Sequence, residues 1–265
     1  MSEYPRAPRG PKWRMRTAVA AVPAVLLVLL TSVMSSQAVV TTPFLIDGEV
    51  PDTGAVEFVD GHLGDKELGP TNGNTTKVGP IHMAAKPMLS TTNPNGQTDL
   101  YKIWLDTKTD GSDDAWLYFA FQRDSNTGSG FVMYEFQQAP EPAGCDYSLT
   151  NADLIAGCNP WENRQPGDFI LVFDQQGNTV DIYLRYFMDA SPGGADWVKG
   201  DPLVLQTSTI DLVDAGTAAA TMSADGYRGE AAVNLTDTIF ANAPDGCTTI
   251  GNIIPGTVTG NSDTA

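Results

Sequence analysis

Short apolar or alternating segments recur along this 265-residue chain from Val39 onward, and turns rich in Gly, Asn, Asp and Pro separate them. One segment, Trp116–Phe121, is almost entirely apolar and rich in aromatic residues, which predicts a central strand covered on both faces. No stretch shows a sustained helical period. The pattern therefore predicts an all-β fold, an antiparallel β-sandwich of jelly-roll type with long loops.

The alternation also assigns individual side chains to strand faces. In the predicted strand Phe131–Gln137, Glu135 falls on the same face as Met133. Phe169–Phe173 and Thr179–Phe187 are separated by a short polar turn, which predicts a hairpin. Residues 139–166 lack either period and predict an irregular insertion.

A basic and then apolar segment precedes the strand pattern. Five basic residues lie within residues 1–16, Thr17–Met34 is an apolar run, and Ser36-Gln37-Ala38 follows with small side chains. These are the parts of a secretory signal peptide, residues 1–38, with cleavage expected after Ala38. The alternative is an uncleaved single-pass anchor, because the run is roughly long enough to span a thinned bilayer. In both cases the rest of the chain is extracellular, either secreted or associated with the cell wall.

The chain is strongly acidic. Its formal net charge is −17, and removal of residues 1–38 takes away five of the 15 basic and one of the 32 acidic residues, leaving −21. Nucleic acid is disfavoured as a partner because phosphate binding requires clustered Lys and Arg. An anionic lipid surface is disfavoured for the same reason, so no membrane contact is expected after cleavage.

The three cysteines indicate one disulfide and one leftover thiol. Cys145 and Cys158 bracket a short polar segment, and export favours a bridge between them. Such a bridge would contribute roughly 3 kcal/mol in the chain-entropy model. Cys247 is then unpaired, which suggests a partner beyond Ala265. We therefore predict a β-sandwich domain at residues 39–243, with 244–265 as a linker or the start of a following domain of a longer polypeptide.

The sequence contains no nucleophile elbow, phosphate-binding loop or metalloprotease motif. Only two histidines, His62 and His82, are present, and both lie in loop-like sequence. Paired carboxylates could serve a glycosidase, but so many acids carry no specific signal. We expect no enzymatic activity and no catalytic residue.

Acidic turns supply the only candidates for a metal, and no other cofactor is expected. Asp106–Asp114 lacks the ligand spacing of an EF-hand, since Lys108 occupies a ligand position. The remaining oxygen-rich turns contain candidate ligands for a structural calcium ion, namely Asp124, Asn126, Asp174, Asn178 and Asp181. Ordinary hairpin turns use the same residue types, and that is the preferred interpretation.

Two tryptophans lie in polar loop sequence, unlike those in apolar strands. Trp161 and Trp197 are candidates for ligand-binding platforms that stack on sugar rings. The alternative is that each covers an end of the sandwich.

Several segments together resemble a known kind of protein: Ile46-Asp47-Gly48, Lys77–His82, Asn93–Leu100 and Trp116–Gln137. They are similar to the N-terminal region of large secreted, wall-associated actinobacterial proteins, in which a β-sandwich head precedes prealbumin-like or collagen-adhesin B-type repeats. The stretch Ile254–Asp263 resembles the passage into such repeats. The resemblance implies a surface location and downstream domains of the same polypeptide.

A more distant resemblance is to carbohydrate-binding module family 9 and DOMON-like sandwiches. It rests on the Ile46-Asp47-Gly48 opening, the strand Leu117–Ala120 followed by Asp124, and the Glu-bearing strand Tyr227–Leu235. Together these features predict a non-enzymatic, adhesin-like surface module that binds a glycan or an extracellular protein. The alternative is a carbohydrate-binding accessory domain of an extracellular glycan-degrading enzyme.

Overall fold

The computed structural model describes residues 40–59, 67–70, 89–92, 96, 98–126, 128, 130–177, 179–191, 196–206, 209–242 and 249–259. Every described residue belongs to one compact unit, Gln37–Ala265. Among the described residues, no helix has the length and apolar character needed to cross a membrane.

Antiparallel strands dominate the described part of the chain. In chain order they are β1 Val56–Val59, β2 Glu67–Pro70, β3 Leu89–Thr92, β4 Leu100–Thr109, β5 Ala115–Arg123, β6 Gly130–Gln137, β7 Phe169–Gln176, β8 Thr179–Asp189, β9 Leu203–Leu205, β10 Ile210–Asp211, β11 Ala218–Met222, β12 Arg228–Asn234 and β13 Asn252–Thr259. The helices are α1 Asn151–Gly157 and a 3-10 turn, Phe240–Asn242.

Two sheets stack face to face. The first has the order β1-β4-β5-β12-β11, and the second has the order β10-β8-β7-β6-β13, with β9 paired to β8. β2 and β3 form a separate hairpin. All of these pairings are antiparallel, and the predicted all-β sandwich is confirmed.

The core between the sheets combines aromatic and aliphatic side chains. Phe121 of β5 packs edge to face on Phe173 of β7, with ring centroids 5.0 Å apart. Gly229 lies beside both rings, and a Cβ there would come within 2.6 Å of Phe121. The close approach of the two sheets at this point therefore requires glycine.

Each sheet is also covered on its outer face. The N-terminal segment packs Phe44 and Val50 over Trp104, Trp116 and Tyr118 on the first sheet. The insertion after β6 covers the second sheet, where its buried side chains join Met133, Ile170 and Phe187. The predicted burial of the β5 strand on both faces is confirmed, since Trp116–Phe121 are all buried.

The insertion is more regular than its sequence suggests. It contains α1, whose N-cap Thr150 accepts a hydrogen bond from the Asp153 amide at 3.3 Å. Leu154 is the buried residue of this helix. Seven residues with one buried side chain are too few to display a helical period.

One strand of the second sheet lies beyond residue 243, the predicted end of the sandwich domain. β13 pairs with β6 along its whole length, from Asn252 opposite Gln137 to Thr259 opposite Gly130. These eight residues complete the edge of the second sheet, so they belong to the sandwich and not to a linker.

Candidate functional site

A shallow cleft of about 760 Å³ lies at the end of the sandwich where β4 turns into β5. We call it the turn cleft. Residues 40–43, residues 109–112 and Asp114 line it, together with Trp116, Gly216 and Asn234. Hydroxyl, carboxylate and backbone groups therefore face one open space.

Asp110 fixes the shape of the turn cleft. One oxygen of its carboxylate accepts hydrogen bonds from the Ser112 and Asp114 amides at 2.7 and 3.1 Å. The other oxygen accepts from the Trp116 indole nitrogen at 2.9 Å. The hydrogen bonds from the Ser112 amide and the Trp116 indole lower the pKa of Asp110. The ionised carboxylate therefore keeps these hydrogen bonds and stabilises the conformation of the turn.

A second polar group borders the turn cleft. The Asn234 amide nitrogen donates to Asp237 at 2.9 Å and to Asp114 at 3.4 Å. Asn234 is buried, whereas Ser112 and Thr109 are exposed. The cleft thus combines a fixed floor with exposed polar groups at its rim.

A buried glutamate anchors the N-terminal segment to the first sheet. Glu230 of β12 accepts hydrogen bonds from the Asp47 and Gly48 amides at 2.8 and 2.6 Å, and from the Tyr118 hydroxyl at 2.9 Å. We call this arrangement the Glu230 clasp. Gly48 has φ +87°, and an added Cβ would meet the Met222 carbonyl oxygen at 3.0 Å. Burial raises the pKa of Glu230 above its ordinary value.

The second sheet carries a buried ion pair under the insertion. Arg164 approaches Glu135 with Nε–Oε1 at 2.7 Å and Nη2–Oε2 at 2.6 Å. Their side chains are 3% and 2% exposed. The guanidinium also lies over the Phe187 ring at 4.7 Å. The sequence had placed Glu135 on the Met133 face, and this assignment is confirmed.

Asp168 lies close to that pair and is fully buried. Its carboxylate accepts hydrogen bonds from the Gln138 amide at 2.9 Å and the Gln165 amide at 2.8 Å. These bonds favour the ionised form, but burial outweighs them and raises the pKa of Asp168 to about 6. Ion pair and carboxylate together fasten the insertion to the sheet.

Trp161 is not an open platform. It is 5% exposed, and its ring packs in the core of the insertion near Arg164. The polar sequence around Trp161 does not indicate its burial, which arises because the insertion folds back over the second sheet. Trp197 is half-buried against the same core, and its indole nitrogen is buried with no hydrogen-bond partner.

The candidate calcium ligands fall into two places. Asp174 and Asp181 lie directly opposite each other in the β7–β8 hairpin. The pKa of Asp181 is raised, mainly by burial and secondly by the negative charge of Asp211. Asp124 and Asn126 lie after β5, where the Asn126 amide binds the Asp225 carbonyl at 3.0 Å. Among the described residues, no three Asp, Glu, His or Cys side chains are grouped to hold a metal ion.

The predicted disulfide is confirmed. Cys145 and Cys158 are bonded and both are buried. The loop that they close presents Tyr147 and Leu149 to solvent, with 57% and 42% of their surfaces exposed. We call residues 145–158 the stapled loop.

Some sequence predictions lie outside the described residues. They concern the signal peptide 1–38, His62, His82, Asn178, Cys247 and residues 260–265. No protein-family model, curated protein or solved structure matches this chain.

Proposed function

We propose that this protein is a non-enzymatic, exported surface module that binds a neutral glycan in the turn cleft. The observation that carries the proposal is the cleft itself, about 760 Å³ of open space lined by both polar and apolar groups. A cleft of this size lies within the range that proteins use for small ligands.

The rim offers groups suited to sugar hydroxyls. Thr109 and Ser112 present exposed hydroxyls that both donate and accept, and Asp114 presents a carboxylate that accepts. The Asp110 floor is already committed to three hydrogen bonds, so the rim is held in position before a ligand arrives. The excess of acidic residues in the chain favours a neutral glycan over a polyanionic one.

A glycan array probed with the purified chain, with and without chelator, tests this function. We expect binding that persists with chelator and falls about tenfold in Asp114→Asn or Ser112→Ala, since each loses a hydrogen bond to the ligand. Asp113→Asn is the matched control, because Asp113 is exposed on the same turn outside the cleft lining and asparagine tolerates its φ of 65°. Silence across the array would reject the proposal.

A second candidate function is protein binding through the stapled loop. Tyr147 and Leu149 are exposed on a loop that a disulfide and a helix hold in one conformation. The exposed charged side chains of residues 139–168 are Glu141, Asp146, Asp153 and Glu162. The charged residue of opposite sign in this range, Arg164, is buried against Glu135. This surface is suited to a cationic partner with an apolar recess.

An immobilised array of Lys- and Arg-rich peptides with central aromatic residues tests the second candidate. We expect binding at about 50 mM salt that weakens at about 500 mM, because screening shortens the range of the attraction. Tyr147→Ala should abolish it. Tyr227→Ala, which removes an exposed tyrosine elsewhere, should leave it unchanged. Equal binding by both variants would exclude the stapled loop.

The setting of the module is part of the same proposal. The acidic composition and the predicted signal peptide support an extracellular head of a longer wall-associated protein. The alternative is an accessory domain of a glycan-degrading enzyme. Reading the downstream coding sequence distinguishes them, since repeats with a wall-sorting signal favour the first and a glycosidase domain favours the second.

A further inference from the structure

Among the residues that the structure describes, Arg123 is a buried cation without a counterion. It is the last residue of β5, points to the inner face of the first sheet and is 2% exposed. Its Nη2 donates to the Gly226 carbonyl at 3.1 Å, and its Nε is buried with no hydrogen-bond partner. No acidic side chain in the described ranges forms an ion pair with it.

Such a group is costly in a folded protein. A guanidinium offers five donors and stays protonated even where, as here, burial lowers the pKa of Arg123. Buried charges are normally paired, and buried donors normally have acceptors. Arg164, which is buried under the insertion, obeys this rule because it is paired with Glu135. Arg123 therefore has hydrogen-bonding capacity that no side chain in the described part of the structure fills.

On the second sheet, Gln175 has a buried acceptor atom without a hydrogen-bond partner. Its side-chain nitrogen donates to the Gly177 carbonyl at 3.3 Å, and its side-chain oxygen is buried with no partner. Phe121 and Phe173 are in contact across the core, and each of the two polar residues follows its own phenylalanine by two positions on the same strand face. β5 and β7 run in the same sense, because β6 reverses the chain after β5 and pairs antiparallel with β7. The two orphan atoms thus lie at the same end of the sandwich.

This end of the sandwich is next to solvent. Asp124, directly after Arg123, is exposed, and so is Asn126. The turn cleft lies at the opposite end, beyond the start of β5, so the two locations are separate.

We infer that this end of the sandwich binds a small hydroxy acid, with the carboxylate on Arg123 and a hydroxyl donating to Gln175. A uronic acid has this combination of groups. The acidity of the chain opposes polyanionic polymers, which favours a ligand with a single carboxylate. A planar carboxylate matches the guanidinium fork and supplies the acceptors that Arg123 lacks. The inference is independent of glycan binding in the turn cleft.

Thermal unfolding of the purified chain tests the site. The probes are sodium glucuronate, sodium acetate, glucose and sodium chloride at matched ionic strength. We expect glucuronate to raise the midpoint by about 2–4 °C at about five times its dissociation constant, acetate to raise it less, and glucose and chloride to leave it unchanged. The absence of a carboxylate-specific rise would overturn the inference.

Variants separate the two contacts. Arg123→Met should lose the response to both acids while remaining folded, because replacing an unpaired buried charge with an apolar side chain of similar length is tolerated. Arg123→Lys keeps the charge without the fork and should respond more weakly, which provides a second test if the methionine variant unfolds. Gln175→Leu should reduce the glucuronate response to that of acetate.

A matched control removes a positive charge elsewhere. Lys199 is exposed and binds the Asn163 side chain in the insertion, away from β5. Lys199→Met should retain the full response to both acids. A response that survives in Arg123→Met, or disappears in Lys199→Met, would refute the assignment to Arg123. Glycan binding by the turn cleft should be unchanged in every variant of this series.

Discussion

Arg164 meets Glu135 end to end, with two hydrogen bonds of 2.7 and 2.6 Å between side chains that are almost completely buried. The pair joins an irregular insertion to the middle of a β-strand. Gln137 reinforces it by donating to Glu135 at 2.9 Å and to the Pro160 carbonyl at 3.2 Å. A polar contact therefore determines where an otherwise apolar cover attaches.

Breaking this pair should cost more than removing it. Glu135→Gln or Arg164→Met leaves one buried charge uncompensated and should lower the free energy of unfolding by about 3–5 kcal/mol. Glu135→Leu combined with Arg164→Met should recover most of that loss. Urea unfolding of the four proteins in a double-mutant cycle measures the coupling. Additive losses would mean that the two residues do not act as a pair.

Asp168 should make stability depend on pH. Its pKa is about 6 when folded, above the ordinary value of 3.8, so between these values the folded state holds a proton that the unfolded state releases. Stability is therefore greatest below about pH 4 for this group and falls as pH rises to about 6, by up to roughly 3 kcal/mol. Urea unfolding across this pH range measures the slope.

The control for that slope is Asp168→Asn, which cannot titrate. Its overall stability should be lower, because the new amide nitrogen faces the Gln165 backbone donor or the Gln138 donors. Its pH dependence between 4 and 6 should nevertheless be flatter than that of the native chain. An unchanged slope would assign the titration to another group, such as Glu230, whose pKa is also raised by burial.

The Glu230 clasp should be essential to the N-terminal segment. Glu230→Ala leaves the Asp47 and Gly48 amides without an acceptor and should cost about 3 kcal/mol or more. Glu230→Gln keeps an oxygen for those amides and should cost only about 1 kcal/mol. Chemical denaturation compares them with Glu49→Ala, an exposed neighbour expected to change stability by less than about 0.5 kcal/mol.

The disulfide has both a chemical and an energetic test. Alkylation of the non-reduced chain followed by intact-mass analysis should label one of its three cysteines. Replacing both Cys145 and Cys158 with serine should lower stability by roughly 3 kcal/mol through the unfolded state. Labelling of three thiols would contradict the bridge.

Much of the fold could be predicted, because strand faces follow from a period of two. The apolar run of β5 and the alternation in β6 were enough to identify two central strands and the face of Glu135. The ends were less predictable. Residues 40–44 form an irregular segment, since burial there comes from covering a sheet and not from joining it.

The candidate site was much less predictable, because it depends on contacts between distant segments. Nothing near Trp161 in the sequence indicates that the insertion will bury it. Arg123 ends β5, and its lack of an ion-pair partner among the described residues becomes visible only in three dimensions. Paired cysteines were the exception, since disulfide chemistry links two positions that can be recognised in the sequence alone.

The Glu230 clasp also has a consequence for the order of events during synthesis. Gly48 and Glu230 are 182 positions apart, so a chain that emerges amino end first must hold its opening segment undocked until nearly all of the sandwich is out. Closure of so long a loop comes late and cannot seed folding. Docking of the opening segment therefore waits for the synthesis of β12, and β13 is the one described strand that is made later.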